Sequence, residues 1–568
     1  MDADPVPLHR LTRAPRGRRA PLHLPALVVL LGLALRILTL GIGARFHPDE
    51  ALFAAQARLI SHDGDWLLRT TDLDKPPLTL YVTALSFRLL GPTEFAARLP
   101  TILFSGLSVA LVYCLAQALY RDRAVSALAA LLCALSPYLL AFAPTAFTDG
   151  QATFWVLLAA LLAARDRWGW AGSATALAFA AKTTALWAVP LIVALGLARS
   201  ARPAWRERDV LARLARYALP LLAGAALLAL WDLGRAPRSF FSLGYARNNP
   251  GRLIRSDELW PRLEAWAHWL SFATGSPALN ALLAALVPAW LVARLVKPLS
   301  TSSSSALSVS LRFKRTPPTR FMSRQALRLA YSLERLLSLP HPRSALTRLA
   351  APSPLTERGQ AERSEAGGEV NRALDWIIVA YGIALLGGLW LIAFNTYDRY
   401  LHTLVPFALL LAARALIGAI RRISARPALP LALGAALVAA MLPGTLAALR
   451  GDAPLGGDQG AHNGIDALAD FLNAELPGEI VYDHWLGWEL AFYLGATPRV
   501  SVVYQPRPAA LAEEMSGCDC RRTFVAPQSP QVAPWLAALA RAGVAVTPIY
   551  GDAAGCFAVY RLDAPAQH

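Results

Sequence analysis

Charged residues are scarce in this chain: they make up 16% of its 568 residues, whereas soluble proteins average about a quarter. Hydrophobic residues make up 55% and the mean hydropathy is +0.39, which favours a membrane over a water-soluble core. Cysteine is also rare, and five cysteines in this length exclude a disulfide scaffold. The composition therefore predicts a polytopic α-helical membrane protein.

Acidic residues are fewer than basic ones, 38 against 55, which gives a net charge of +17. In a soluble chain this excess would indicate nucleic-acid binding. Here the basic residues stand in loops between apolar runs, where they orient a protein in the bilayer. We therefore expect the lipid bilayer as a partner and no nucleic acid.

The basic segment 1–23 precedes an apolar run from Leu24 to Gly43. A run of about 20 residues can span a bilayer and is longer than the apolar region of a typical signal peptide. We predict a retained first span, with a cytoplasmic N-terminus. Segment 171–199 has basic flanks on both sides, so parity requires two short helices that turn near Lys182 at the outer face. Further apolar runs lie at 96–119, 124–142, 151–165, 217–233, 277–295, 374–394, 400–419 and 429–448.

About 11 transmembrane helices follow, an odd number that places the C-terminus outside the plasma membrane. The predicted organisation is a basic cytoplasmic N-terminus at 1–23, a transmembrane module at 24–295, a cytoplasmic insert at 296–373, further transmembrane helices at 374–448 and an extracytoplasmic domain at 449–568. The insert is rich in Ser, Arg and Pro and is predicted to be weakly ordered. A passive linker is favoured over a segment bound to anionic lipid.

From Asn463 onward the pattern predicts a small soluble α/β domain. Residues 465–476 and 534–542 have helical periodicity, and short apolar runs near 480, 502, 524, 545 and 558 predict strands. Cys518 and Cys520 could bind a metal or pair with Cys556, but an ordinary loop is favoured, because ligands at that spacing are a weak signal.

Polar residues with catalytic potential concentrate in the predicted outer loops. Asp49 and Glu50 directly follow the first span, and Asp74 and Lys75 stand before two prolines in the same loop. A partly desolvated carboxylate at the membrane rim can act as a general base, and an ammonium at headgroup depth suits a phosphate. A solvated connector without a chemical role is the simpler interpretation of these residues alone.

Three more residues map to the same membrane face. Asp149 lies in a very short outer loop, Lys182 at the predicted turn, and Arg399 in a tight turn between spans. Taken singly they could be a helix cap, a snorkelling cation and a local ion pair. Acids and cations from four separate loops that converge on one face favour a functional site.

These stretches resemble the GT-C membrane glycosyltransferases, in particular glycosyltransferase family 39 and its relatives: protein O-mannosyltransferases, aminoarabinose transferases of lipid A and Rgt-type lipopolysaccharide glycosyltransferases. The matching stretches, in the family's order, are Asp49-Glu50, Gly64-Asp65-Trp66, Asp74-Lys75-Pro76-Pro77-Leu78, Glu94-Phe95-Ala96-Ala97-Arg98-Leu99-Pro100, Asp149, Lys182-Thr183 and Asp398-Arg399-Tyr400-Leu401. The chain departs from the family after Asp49-Glu50, where Ala51-Leu52-Phe53 replace the usual Arg or Tyr, and after Lys182, where Thr183 replaces Gly.

The resemblance implies a transferase that moves one sugar from a polyprenyl-phosphate donor to a lipid, glycan or protein acceptor, with inversion. It implies that Asp49 is the catalytic base, that Asp149 shapes the sugar and acceptor site, and that Lys75 contacts the donor phosphate. We expect Glu50, Asp74, Lys182 and Arg399 to bind substrate.

No cofactor is required by this chemistry. His47, Asp74 and His268 could hold a divalent metal, although no spacing demands one. A lipid or solute transporter is the first alternative, but transporters usually keep their functional charges near the membrane midplane. A polymerase or ligase of polyprenyl-linked glycans is the second.

Overall fold

The computed structural model describes residues 23–200, 207–295, 354–423, 428–518, 520–551 and 555–564. The predictions for residues 1–22 and for 296–353 of the insert lie outside the described residues. The helices up to residue 450 are α1 (His23–Leu38), α2 (Pro48–Ser61), α3 (Leu78–Leu90), α4 (Glu94–Tyr120), α5 (Arg123–Leu135), α6 (Pro137–Ala141), α7 (Thr148–Ala164), α8 (Trp168–Ala181), α9 (Val189–Ser200), α10 (Glu207–Leu233), α11 (Phe240–Asn248), α12 (Leu259–Ser271), α13 (Pro277–Leu295), α14 (Pro354–Leu391), α15 (Leu404–Ile423) and α16 (Ala428–Arg450).

The predicted polytopic helical fold is confirmed. Within the described ranges, seven helices are long and apolar enough to cross a membrane, and four further apolar helices are shorter. The span predicted from 374 belongs to a longer helix, α14, which begins at Pro354 inside the predicted insert. The predicted pair of short helices around Lys182 is also present: α8 ends at Ala181, and a 3-10 turn at Thr183–Ala188 leads into α9.

The predicted span 124–142 is broken in the structure. Helix α5 ends at Leu135, and α6 starts at Pro137, whose missing N–H leaves a carbonyl of the preceding turn without its helical donor. The buried guanidinium of Arg36 compensates, because it donates to the carbonyl oxygens of Cys133 at 3.0 Å and Ala134 at 3.3 Å. Helix α1 is thereby tied to the point where the chain bends.

The segment after the first span, predicted to be an outer loop, contains two helices, α2 and α3, that were not predicted. The start of α2 is fixed by a reciprocal cap: His47 Nδ1 accepts from the Asp49 backbone N–H at 3.1 Å, and Glu50 accepts from the His47 backbone N–H at 3.1 Å. Pro48 occupies the first helical position, where a missing N–H has no consequence. Asp49 is therefore held in the first turn of a helix.

The C-terminal part forms the predicted α/β domain around a five-stranded sheet. Its elements are α17 (Ile465–Glu475), β1 (Ile480–Asp483), α18 (Gly487–Tyr493), β2 (Ser501–Tyr504), α19 (Pro508–Ser516), β3 (Arg521–Pro527), α20 (Ala533–Arg541), β4 (Ala545–Gly551) and β5 (Phe557–Asp563). The strand order is β2-β1-β3-β5-β4; β1 pairs in parallel with β2 and β3, and β5 pairs antiparallel with β3 and β4. Helices α18 and α19 were not predicted.

The cysteines correct one prediction. Cys518 and Cys520 form a disulfide with each other, where an ordinary loop was favoured, and Cys556 carries a free thiol. Because the two cysteines are only two positions apart, this disulfide closes a very small ring. It therefore restrains the chain just before β3 and does not join distant parts of the chain.

A buried acid–histidine–acid chain fixes the start of this domain. His462 Nδ1 lies 2.6 Å from Asp458, and His462 Nε2 lies 3.1 Å from Glu489 in α18. Burial raises the pKa of Glu489 to about 7, although His462 opposes the shift. Burial alone would lower the pKa of His462, but the hydrogen bond to Asp458 and the nearby Glu489 charge raise it above its usual value.

Candidate active site

A cavity of about 640 Å³ lies where the first turns of α2 and α7 meet the turn between α8 and α9. Helix α11 and the turn before α15 complete its wall. Six of the seven predicted site residues line this cavity: Asp49, Asp74, Lys75, Asp149, Lys182 and Arg399. Loops that are far apart in the chain therefore bring their acids and cations to one place.

Each of the three cations is paired with an acid. Arg399 lies 2.6 Å from Asp49, Lys182 lies 2.5 Å from Asp149, and Lys75 lies 2.6 Å from its neighbour Asp74. All six side chains are at most about a fifth exposed, which strengthens these pairs relative to surface ones. The cavity thus holds three positive and three negative charges that compensate one another.

Two of the acids stand at helix N-termini. Asp49 is in the first turn of α2 and Asp149 in the first turn of α7, where the free backbone N–H groups favour negative charge. Gly150 allows α7 to approach α4, because a side chain there would lie 2.6 Å from the methyl group of Thr101. The helix-cap interpretation of Asp149 does not hold, since Phe147 occupies the cap position.

Arg399 and Tyr400 lie in a 3-10 turn, Asp398–Leu401, just before α15. The Arg399 guanidinium rests on the rings of Phe147 at 5.0 Å and Tyr397 at 4.8 Å. Burial alone would lower its pKa, but Asp49 and Asp149 raise it above the usual value, so it stays charged. Burial raises the pKa of Tyr400 to about 12, so this residue presents a neutral hydroxyl.

Asp74 and Lys75 are covered by α11. A side chain in place of Gly244 would come within 2.7 Å of the Asp74 carbonyl oxygen, so glycine is needed for this close approach. Asn248, one turn further along α11, faces the same cavity. Helix α11 therefore packs directly against the Lys-Pro-Pro segment.

Glu50 is the predicted site residue that does not line the cavity. It is fully buried, accepts from the Arg98 guanidinium at 3.1 Å and from the Ala146 backbone N–H at 2.8 Å, and forms part of the cap of α2. These contacts tie α2 to α4 and to the loop before α7. The position of Glu50 suits the support of Asp49 more than contact with a substrate.

Part of the cavity wall was not predicted from the sequence. Phe240, Tyr245 and Asn248 of α11 and Tyr381 of α14 line it. The Phe240-Phe241 pair and the Asn248-Asn249-Pro250-Gly251 turn were visible signals for a structured outer segment. Tyr381 stands in a continuous apolar span and gave no signal.

The described residues contain no group of three His, Cys, Asp or Glu side chains arranged to hold a metal ion. His47 caps α2, while His268 packs against Trp269 at 4.8 Å and Phe272 at 5.2 Å. The cavity's own cations are the groups available to a phosphate.

The resemblance to the GT-C membrane glycosyltransferases that the sequence motifs indicated is supported by comparisons of both fold and sequence with known proteins. The crystal structure of ArnT from Cupriavidus metallidurans bound to undecaprenyl phosphate is similar over 94% of this chain and 97% of that one, with a TM-score of 0.59 and 15% sequence identity. The apo state of the same protein gives a TM-score of 0.58. At this identity the likeness establishes a shared fold alone.

Sequence similarity covers only part of the chain. The family model of dolichyl-phosphate-mannose-protein mannosyltransferases matches residues 74–226. The undecaprenyl phosphate-α-4-amino-4-deoxy-L-arabinose arabinosyl transferase of Pseudomonas aeruginosa is 31% identical over 201 residues, which is 33% of this chain and 36% of that protein. The corresponding Pectobacterium carotovorum protein is 30% identical over 166 residues, 27% of this chain and 30% of that protein. The matched region thus spans about a third of the length of these relatives.

Proposed function

We propose that this protein is an integral membrane glycosyltransferase. It moves one sugar from a polyprenyl-phosphate donor to a lipid, glycan or protein acceptor on the outer face of the membrane, with inversion at the anomeric carbon. The observation that carries this proposal is the cavity in which Asp49, Asp149 and Asp74 face Arg399, Lys182 and Lys75.

The cations suit a departing phosphate. As the bond between sugar and phosphate breaks, negative charge grows on the phosphate oxygens, and fixed cations in a partly enclosed site stabilise that charge. Lys75, Lys182 and Arg399 would take this role. Asp49 would accept the proton of the incoming acceptor hydroxyl, and Asp149 would orient the sugar or the acceptor.

An apolar groove supports a lipid-linked donor. A second cavity of about 590 Å³ lies between α9 and α14, and its walls are apolar residues such as Pro190, Leu191 and Ile377. Trp187, Tyr381 and Leu385 line both cavities, so the groove meets the charged site. A polyprenyl chain fits this groove while its phosphate reaches the cations.

The named relatives indicate which sugars to test first. The curated proteins are named for undecaprenyl phosphate-linked 4-amino-4-deoxy-L-arabinose, and the family model for dolichyl-phosphate-mannose. Three carboxylates in one cavity can accept hydrogen bonds from a sugar amine as well as from hydroxyls. We therefore give priority to the amino sugar.

The experiment compares envelope glycolipids and glycoproteins, by mass spectrometry, from cells that produce the protein and cells that do not. We expect one class of envelope molecule to carry one additional sugar only when the protein is present. Purified protein should then transfer that sugar from its polyprenyl-phosphate donor. An unchanged envelope together with protein-dependent passage of a lipid or solute across vesicles would contradict the proposal and favour a transporter.

We further propose a multi-pass arrangement in the plasma membrane, with a cytoplasmic N-terminus and an extracytoplasmic C-terminal domain. The basic segment 1–23 supports this orientation. A C-terminal reporter that is active only outside the cytoplasm should be active in the fusion. Activity of a reporter that functions only in the cytoplasm would reverse the assignment of every loop.

A further inference from the structure

The C-terminal domain contacts both ends of α2, the helix that carries Asp49. At the C-terminal end of α2, Arg58 donates to the carbonyl oxygens of Phe492 at 2.8 Å and Ala491 at 2.6 Å. These carbonyls belong to the last turn of α18, and Arg58 caps that end of the helix, where the Phe492 carbonyl also accepts from the Gly495 backbone N–H at 3.1 Å. The Phe492 ring also packs edge-on against Phe46, with centroids 4.9 Å apart.

At the N-terminal end of α2, the domain makes an ion pair between Asp466 and Arg45 at 2.6 Å and a buried hydrogen bond through the hydroxyl of Tyr493. Tyr493 Oη accepts from the Phe46 backbone N–H at 2.9 Å and donates to Glu94 at 2.5 Å. Phe46 stands three residues before Asp49 and is fully buried, so its N–H has no water to replace this partner. The hydroxyl thus joins the chain entering α2 to the first turn of α4.

The same domain also holds the partner of Asp49. In the linker before α17, the Gly456 backbone N–H donates to Asp398 at 2.9 Å. The other Asp398 oxygen accepts from the Arg399 backbone N–H at 2.7 Å, and Arg399 pairs with Asp49. Both members of the Asp49–Arg399 pair are therefore held through contacts with the chain beyond residue 450.

We propose that the C-terminal domain is a brace that sets the position of Asp49 against Arg399, and that Tyr493 is its positioning residue. This inference rests on the proposed glycosyltransferase function. Tyr493 does not line the cavity, so it acts through α2 and touches no reacting atom. Catalysis is sensitive to such support, because displacement of a reacting group by about 1 Å can lower the rate roughly a hundredfold.

Tyr493→Phe removes the hydroxyl and keeps the ring. Tyr482→Phe is the matched control, since Tyr482 Oη donates to a carboxylate, Glu514, at 2.6 Å within the same domain but away from α2. We expect Tyr493→Phe to lower kcat about tenfold or more, with the donor KM unchanged. Tyr482→Phe should leave both constants unchanged, with Tm measured for each variant to establish that it is folded.

A double-mutant cycle separates positioning from general destabilisation. If Tyr493 acts through Asp49, Tyr493→Phe should cause no further loss of kcat in an Asp49→Asn background. An equal loss of kcat in Tyr482→Phe, or a kcat within about twofold of wild type in Tyr493→Phe, would overturn the proposal.

Hydrogen exchange gives a measurement that does not depend on activity. Exchange of the backbone amides at 46–51 should be faster in Tyr493→Phe than in wild type and unchanged in Tyr482→Phe. Unaltered exchange in Tyr493→Phe would overturn the brace even if kcat falls. If wild-type protein transfers no sugar, the proposed function fails, while the exchange result still decides whether the brace exists.

Discussion

The substitution Asp49→Asn tests the central assignment of the site. Asn keeps the size and shape of the side chain, and its amide cannot accept a proton as a carboxylate does. Asp49 is held in the first turn of α2 and forms an ion pair with Arg399 at 2.6 Å in the cavity wall. The substitution therefore changes charge and basicity with little change of shape.

The expected effect on turnover is large. A positioned general base contributes about 10²- to 10⁴-fold to the rate, which corresponds to about 2.7 to 5.4 kcal/mol at about 1.36 kcal/mol for each factor of ten. Donor binding, in contrast, should not weaken. The substitution frees the Arg399 guanidinium from its carboxylate and leaves Lys182 and Lys75 in place, so the donor phosphate meets no less positive charge.

We therefore expect kcat to fall by about 10²- to 10⁴-fold, with the donor KM unchanged or lower. The assay uses detergent-purified protein with a saturating polyprenyl-phosphate sugar and membrane extract as acceptor source. Asp72→Asn is the matched control: Asp72 lies in the same outer loop and is half exposed, where it pairs with Arg247 at 3.2 Å outside the cavity.

A turnover of Asp49→Asn within about threefold of wild type would refute the base assignment, because a positioned general base typically contributes about a hundredfold or more. Asp72→Asn should keep full activity; an equal loss there would show that any charge change in this loop is harmful. Full activity of the Asp49→Asn/Asp149→Asn double variant would argue against a transferase altogether and favour the transporter.

Three further predictions concern binding, the insert and pH. Lys75→Ala should raise the donor KM about 10- to 150-fold, because a charged hydrogen bond to phosphate is worth about 1.5–3 kcal/mol at about 1.36 kcal/mol for each factor of ten, while saturating donor restores most of kcat. Replacement of residues 300–350 by a short flexible linker should leave insertion and turnover intact, since Arg294 and Asp375 form an ion pair that joins the helices on either side; an inserted but inactive variant would contradict this. Because the folded-state pKa of Glu489 is raised from 4.5 to about 7, its contribution to stability is complete below about pH 4.5 and is lost as the pH rises to about 7. The Tm should therefore fall between pH 5 and pH 8 in wild type, and less in Glu489→Gln; equal slopes in both would refute this origin.

Much of the membrane fold could be predicted, because long apolar runs indicate membrane spans and basic flanks indicate how the spans are oriented. The turn at Lys182 followed from parity alone: both flanks of 171–199 carry arginines, so the chain had to return. The break after Leu135 was harder to predict, because Pro137 lies within an uninterrupted apolar run. The hydrogen bonds from Arg36 that make the break tolerable join residues about 100 positions apart.

The first outer loop shows a different limit. Its two helices were not predicted, although Pro48 and the acids Asp49 and Glu50 are residues typical of a first helical turn; the cap residue, His47, is not a usual one. Once α2 is a helix, Asp49 and Glu50 point about 100° apart around its axis. Asp49 faces the cavity, and Glu50 faces Arg98 in the core. The sequence alone does not show which of two neighbouring acids points in which direction.

Sequence analysis treated the acids and the cations as separate groups, and the structure pairs them. This pairing has a consequence for the order of events. A donor phosphate that binds Arg399 and Lys182 competes with the carboxylates that now occupy those cations, so its arrival loosens the Asp49–Arg399 and Asp149–Lys182 pairs. Donor binding would thereby release Asp49 from Arg399 and leave this carboxylate available to the acceptor hydroxyl, whereas without a donor the ion pairs hold the three cations in place.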